Sequence, residues 1–166
     1  YARDQFDEIR LSDRTGRVYI ALNRVGAPAT GRGGAGGPIQ QAGPTGAPLF
    51  GLNVQALQPG AIAVIDGSVF GHPVASLNDI PKGEYLVQAF VNVYTEFTRA
   101  DGSVVWLHMP CGDGQSMTSS PGNLYSTVTS MPLDGRSSGV VEITLDQMIP
   151  YPAGTTPFVE DAPAQT

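Results

Sequence analysis

The chain predicts an all-β domain, a two-sheet immunoglobulin-like sandwich carrying one long Gly/Pro-rich loop. Three observations point there. Several short segments alternate apolar and polar residues at the two-residue period of a half-buried strand. Turn dipeptides such as Asp66-Gly67, Asp101-Gly102 and Asp134-Gly135 separate them, and no stretch carries a sustained helical period. A Greek-key barrel is the alternative arrangement of the same strands.

Taken in order, Phe6 to Leu11 reads as a short strand in preference to one helical turn, and Asp13 to Gly16 as a turn. Arg17 to Leu22 places Val18, Ile20 and Leu22 on one strand face. From Gly26 to Gly51 there are nine Gly and four Pro in 26 residues. That composition predicts a loop without helix or central strand. Leu52 and Val54, then Ile62 and Val64, continue the strand pattern around a Gln58-Pro59-Gly60 turn. Leu77 to Ile80 allows one helical turn before the longest strand. In that strand Tyr85, Val87, Ala89, Val91, Val93 and Phe97 share one face and Gln88, Asn92, Tyr94 and Glu96 the other. An Asp101-Gly102 hairpin returns through Ser103 to Met109. Residues 110–122 read as loop, Leu124 to Met131 as a strand, and Val141, Ile143 and Leu145 as the last strand, ended by Pro150 and Pro152.

The boundaries follow: residues 1–166 form one domain with its core over about 15–150, the loop at 26–51 and an extended tail at 151–166. Charged residues are only 14% of the chain and apolar residues 41%. The net charge of −6, with Lys82 as the one lysine, repels a phosphate backbone and argues against nucleic acid as a partner. No stretch reaches the ~20 apolar residues of a membrane helix, so membrane insertion is not expected. Sparse lysine with abundant Ser, Thr, Gly and Pro, and a start at Tyr1 without a signal-like segment, suit a secreted chain in an extracellular or periplasmic setting.

The segment Leu77 to Tyr94, with Thr15 to Tyr19, Leu49-Phe50-Gly51, Arg99 to Gly102, Pro121 to Ser126 and Leu145-Asp146-Gln147, resembles the non-catalytic N-terminal β-sandwich domain that precedes the hydrolase domain in bacterial esterases. The resemblance spans about residues 15–150 and implies a sandwich fold. It carries no catalytic residue onto this chain. It also implies a hydrolase domain as one partner, which the Gly-rich stretch Ala27 to Pro48, longer than the family's connection, argues against as a simple accessory role.

Chemical motifs reduce to structure. Gly31 to Gly36 satisfies GxGxxG, but Gly37-Pro38 stands where a helix must start, so no dinucleotide cofactor is expected. Gly135 to Gly139 satisfies GxSxG, yet a strand rather than a helix is expected after Ser137, and His72 and His108 precede it. Those two histidines are too isolated to predict a metal. Cys111, the only cysteine, excludes an internal disulfide and has no cationic neighbour in sequence to activate it. Asp101, Asp113 and Asp134 sit in separate turns rather than in a calcium-binding spacing. Trp106, Tyr94 and Tyr125 could stack on sugar, but aromatics on strands serve packing more often. No catalytic, cofactor or metal residue is therefore expected. The function expected is non-catalytic: structural assembly with copies of itself into an oligomer or filament, through the loop from Ala27 to Pro48 or the tail from Pro157 to Thr166. An accessory domain of an esterase-like hydrolase is the alternative.

Overall fold

The computed structural model describes residues 14–27, 37–108, 117–150 and 153. These hold eight strands: β1 (Arg14–Arg24), β2 (Leu49–Leu57), β3 (Gly71–His72), β4 (Gly83–Thr98), β5 (Val104–His108), β6 (Leu124–Tyr125), β7 (Thr129–Leu133) and β8 (Gln147–Met148). Every pairing between them is antiparallel. The all-β class is what the alternation predicted. Seven strands join one sheet in the order β3-β2-β1-β4-β6-β8, with β7 also on β4, and β5 forms a hairpin on the far half of β4.

The long strand β4 organises the sheet. On one side it pairs with β1 from Gly16↔Val93 to Arg24↔Tyr85. On the other it pairs with β7 from Gly83↔Leu133 to Val87↔Thr129, and then with β6 at Phe90↔Tyr125 and Val91↔Leu124. The single strand expected over Leu124 to Met131 is therefore two, interrupted at Ser126 to Val128. Ser126 spans the gap: its N–H donates to Ala89 O at 3.0 Å and its Oγ accepts from Ala89 N at 2.9 Å. A side chain here replaces a ladder bond that the backbone does not make.

One face of the β1–β4 pair carries Leu22, Tyr85 and Val87, which pack with Phe50 of β2 and with Ile80. Ile65, Val69, Val74, Leu77 and Ile143 close over them. The opposite face, to which the alternation assigned Gln88, Asn92, Tyr94 and Glu96, is also covered in part: Phe90 and Ala21 pack with Ile39, Leu49, Met117, Tyr125 and Ile149. Gln88 and Asn92 are accordingly buried. Both covers are largely irregular chain, which period-two patterning does not register.

Four further expectations are corrected. Arg14 to Gly16 belongs to β1 rather than to a turn. The loop expected over 26–51 contains the one-turn helix α1 (Pro38–Gln41) and the start of β2. Pro38 at the first helical position carries no donor to lose, and Ile39 N donates to Gln88 Oε1 at 3.3 Å while Asn23 Nδ2 donates to Gln41 Oε1 at 2.7 Å. Ile62 and Val64 are not in a strand and are 82% and 66% exposed. Val141 to Leu145 is likewise irregular, with Ile143 alone turned into the core. Ile65, rather than Ile62 or Val64, anchors the first segment as Ile143 anchors the second, and neither segment finds a ladder partner among the described residues. The expected helical turn is a 3-10 turn at Leu77–Asp79, capped by Ser76.

Candidate functional site

The predicted chemical residues are dispersed. His72 is exposed in β3, paired with Leu49. Ser137 lies in the exposed turn after β7, where its N–H donates to Asp134 O at 2.9 Å and its Oγ accepts from Gly139 N at 3.2 Å. The strand expected after it is not there, and no helix follows it either. Asp101 accepts from Ser103 N and Ser103 Oγ at 2.9 and 2.6 Å, and those donors, the hydroxyl foremost, hold its carboxyl below the usual range. Asp134 Oδ1 accepts from Arg136 N at 3.0 Å. Each aspartate thus closes its own turn. Among the described residues no three His, Cys, Asp or Glu side chains converge as a metal site. Residues 28–36 with the GxGxxG match, Cys111, Asp113 and the tail from residue 154 lie outside the described residues, as does the segment Phe6 to Leu11. His108 is described only through its backbone pairing with Tyr94.

Three features hold polar or aromatic groups together. The first is internal. Asn123, 1% exposed, accepts from Val93 N through Oδ1 at 2.9 Å and donates through Nδ2 to Met117 O at 2.8 Å and Asn92 Oδ1 at 3.2 Å. One buried amide therefore ties β4 to the segment before β6. Sequence reading placed Ser126 inside the strand expected over Leu124 to Met131 and gave Asn123, between that strand and the loop at 110–122, no role; Asn beside a Pro-Gly turn, followed by Ser, was the available signal.

The second lies on the face of β1 that bears Arg17 and Tyr19. The Arg17 guanidinium lies 5.6 Å from the Tyr19 ring centre and donates to Asn53 Oδ1 at 2.7 Å and Gly51 O at 2.9 Å. Gly51 permits this: a Cβ there would sit 2.5 Å from Arg17 Nε and 2.9 Å from Tyr19 Cε1. Burial pushes the Tyr19 phenol up, and neighbouring Tyr94 adds to that, while Arg17 acts in the opposite direction. The even-numbered side chains of β4 share this face, because Arg17 pairs with Asn92 and Tyr19 with Phe90. Of the three expected aromatics, Tyr125 packs inward beside Phe90, whereas Tyr94 is half-buried and Trp106 is 45% exposed.

The third is the β4–β5 hairpin. The β1 ladder on β4 stops at Val93, and β6 stops at Val91. From Tyr94 to Thr98, β4 has only β5 beside it among the described residues. Arg99 N donates to Ser103 O at 2.8 Å, and Gly102, at φ 80°, donates to Arg99 O at 2.9 Å. Alternation from that closed Arg99–Ser103 pair turns the backbone groups of Val105 and Leu107 toward β4 and those of Val104 and Trp106 outward. Val104 is 51% exposed, and Val104–His108 contains no Lys, Arg, Asp, Glu or Pro. Such a two-stranded ribbon is marginal alone in water, and its edge carries none of the usual blocks to pairing.

No protein-family model matches the chain, and comparisons with curated proteins and with solved structures likewise find no match. Among the described residues no helix is long and apolar enough to cross a membrane.

Proposed function

We propose that this chain is a non-catalytic, secreted assembly protein that joins copies of itself by strand addition at the β4–β5 ribbon. The observation that carries this reading is the edge of β5, unpaired among the described residues: outward backbone groups at Val104 and Trp106, in a strand whose sequence carries no Asp, Glu, Lys or Arg. A further strand satisfies those groups without large side chains. A pairing repeated head to tail gives a filament, and one about a two-fold axis gives a closed dimer. Part of the Gly-rich loop is already engaged on its own sheet, since Ile39 is buried beside Phe90, so the ribbon is the better extended segment for a neighbour. The immunoglobulin-like sandwich belongs to the same proposal, supported by a sheet with one face covered and the other covered in part.

Sedimentation velocity from roughly 1 to 100 micromolar tests this by mass action. The wild-type chain should shift to larger species with concentration, while Val104→Lys, which charges the edge and leaves the β4 ladder intact, should stay monomeric. A wild-type chain that is monomeric throughout overturns the reading. Neither protein should hydrolyse short acyl esters, and Ser137→Ala should change nothing; ester turnover abolished by that substitution contradicts a non-catalytic role.

Ile62, Val64 and Phe70, 82%, 66% and 71% exposed, favour a second reading in which the segment that bears them docks on a hydrolase domain. Under the assembly reading, Ile62→Lys with Phe70→Lys leaves the sedimentation series unchanged. Loss of self-association in that double variant would move the interface to this segment.

A further inference from the structure

Arg17, Tyr19, Asn53, Tyr94, Glu96 and Trp106 stand on one side of β1, β2, β4 and β5, and their chemistry is of two kinds. Tyr19, Tyr94 and Trp106 offer ring faces. Trp106 pairs directly with Glu96 and so lies diagonal to Tyr94, within reach of a large ring. Tyr94 in turn acts electrostatically on Tyr19, which carries the Arg17 guanidinium at 5.6 Å. The rings therefore run across three strands.

Beside them stand three planar groups able to make paired hydrogen bonds: the Arg17 guanidinium, the Asn53 amide on neighbouring β2 and the Glu96 carboxylate. Arg17 donates to two neutral acceptors, Asn53 Oδ1 and Gly51 O, and no carboxylate pairs with it among the described residues. A guanidinium has five N–H donors, so several remain for a ligand. Asn53, Glu96 and Trp106 are exposed and Arg17, Tyr19 and Tyr94 half-buried. A face serving only as core would exclude such groups.

We propose that this face binds a neutral polysaccharide chain. Pyranose rings present apolar C–H faces to stack on Trp106 and Tyr94, and vicinal hydroxyls that match a planar amide, guanidinium or carboxylate. Charge narrows the ligand. One positive and one negative side chain give the strip no net charge, and the chain as a whole is at −6, so an acidic polysaccharide is repelled and an uncharged one is not. A few planar polar groups among aromatic surfaces also fit the general make-up of ligand sites. This binding uses the face of the ribbon, whereas assembly uses its edge, so the two stand or fall separately.

Trp106 is the only tryptophan, so intrinsic fluorescence reports from the site itself. The full-length chain, at about 1 micromolar to keep self-association low, would be titrated with cellohexaose, xylohexaose and chitohexaose, with hexagalacturonate as the acidic probe. Saturable quenching or a blue shift is expected with at least one neutral hexasaccharide and not with the acidic one. Tyr94→Ala and Arg17→Gln should each weaken that binding about tenfold or more. Circular dichroism melts of both variants separate lost contacts from lost fold, and Asn53→Ala, whose side chain is exposed, supplies a third test with the sheet unperturbed. Absence of any response to the neutral sugars up to millimolar concentration, tighter binding of hexagalacturonate, or unchanged affinity in all three variants overturns the proposal.

Discussion

Asn123→Ala removes the amide that joins β4 to the turn before β6, and the structure sets the size of its effect. Val93 N loses its acceptor, while Met117 O and Asn92 Oδ1 lose their donor. Each unmet buried polar group costs about 1–3 kcal/mol, so with partial access of water the total is about 3–5 kcal/mol. That is a large share of a typical ~5–15 kcal/mol stability, and it lowers the melting temperature by roughly 6–20 °C in a domain of this size. Urea unfolding followed by far-ultraviolet circular dichroism measures it, with Ser130→Ala, which removes one exposed bond to Glu84, as a control expected within about 0.5 kcal/mol.

Asn123→Asp sharpens the test. The new carboxyl keeps an acceptor for Val93 N but faces Met117 O and Asn92 Oδ1, where only its protonated form can donate. Burial and those two oxygens favour the proton over the single N–H that opposes it. Its folded-state pKa is therefore raised above the unfolded value. The variant is closest to wild type below about pH 4 and loses relative stability as pH rises from there through the folded pKa. An Asn123→Ala cost below about 1 kcal/mol, or an Asn123→Asp difference flat between acid and neutral pH, would refute the idea that this amide is a satisfied, buried tie.

Other outcomes follow from the same structure. Val91→Asp, at 0% exposure beside Val18, should leave no folded protein, and Asn92→Asp, at 8% exposure, should also cost several kcal/mol, whereas half-buried Val93 tolerates the change better; melting temperatures rank the three. Ala56 holds φ 48° at the point where three steps of β2 oppose two of β1. Ala56→Gly should therefore raise stability by about 0.5–1 kcal/mol in urea titration. The Asp101 carboxyl is held low by Ser103, so its contribution is present above the unfolded pKa and fades as pH falls through the folded one. Ser103→Ala should leave the hairpin less sensitive to acid, read from the chemical shifts of Asp101 and Gly102 across a pH titration.

The strands that pair along their whole length were legible in the sequence. β1, β4 and the Asp101-Gly102 hairpin alternate cleanly because each rung has a neighbour and each side chain a fixed face. Tyr85, Val87, Ala89 and Val91 face inward as the pattern required. What escaped was the cover. Ile39 in its one-turn helix and Ile65, Val69 and Ile143 in irregular chain are anchors held by tertiary contacts that leave no period. The polar face of β4 misled for the same reason: Gln88 and Asn92 look solvated until Ile39 N and Asn123 supply their partners. The Arg17 cluster was also hidden, since it depends on Gly51, 34 residues away in sequence, lacking a side chain.

The central claim is that the outward edge of β5 is where copies of this chain meet. Residue-resolved amide hydrogen exchange, in dilute and in concentrated solution, tests it most directly. In dilute solution Val105 N–H, turned toward β4, should be protected and the N–H groups of Val104 and Trp106 should exchange freely. In concentrated solution all three should be protected, and Val104→Lys should abolish the added protection at Trp106. Exchange at Val104 and Trp106 that stays fast at every concentration while other amides slow would place the contact elsewhere and contradict the account.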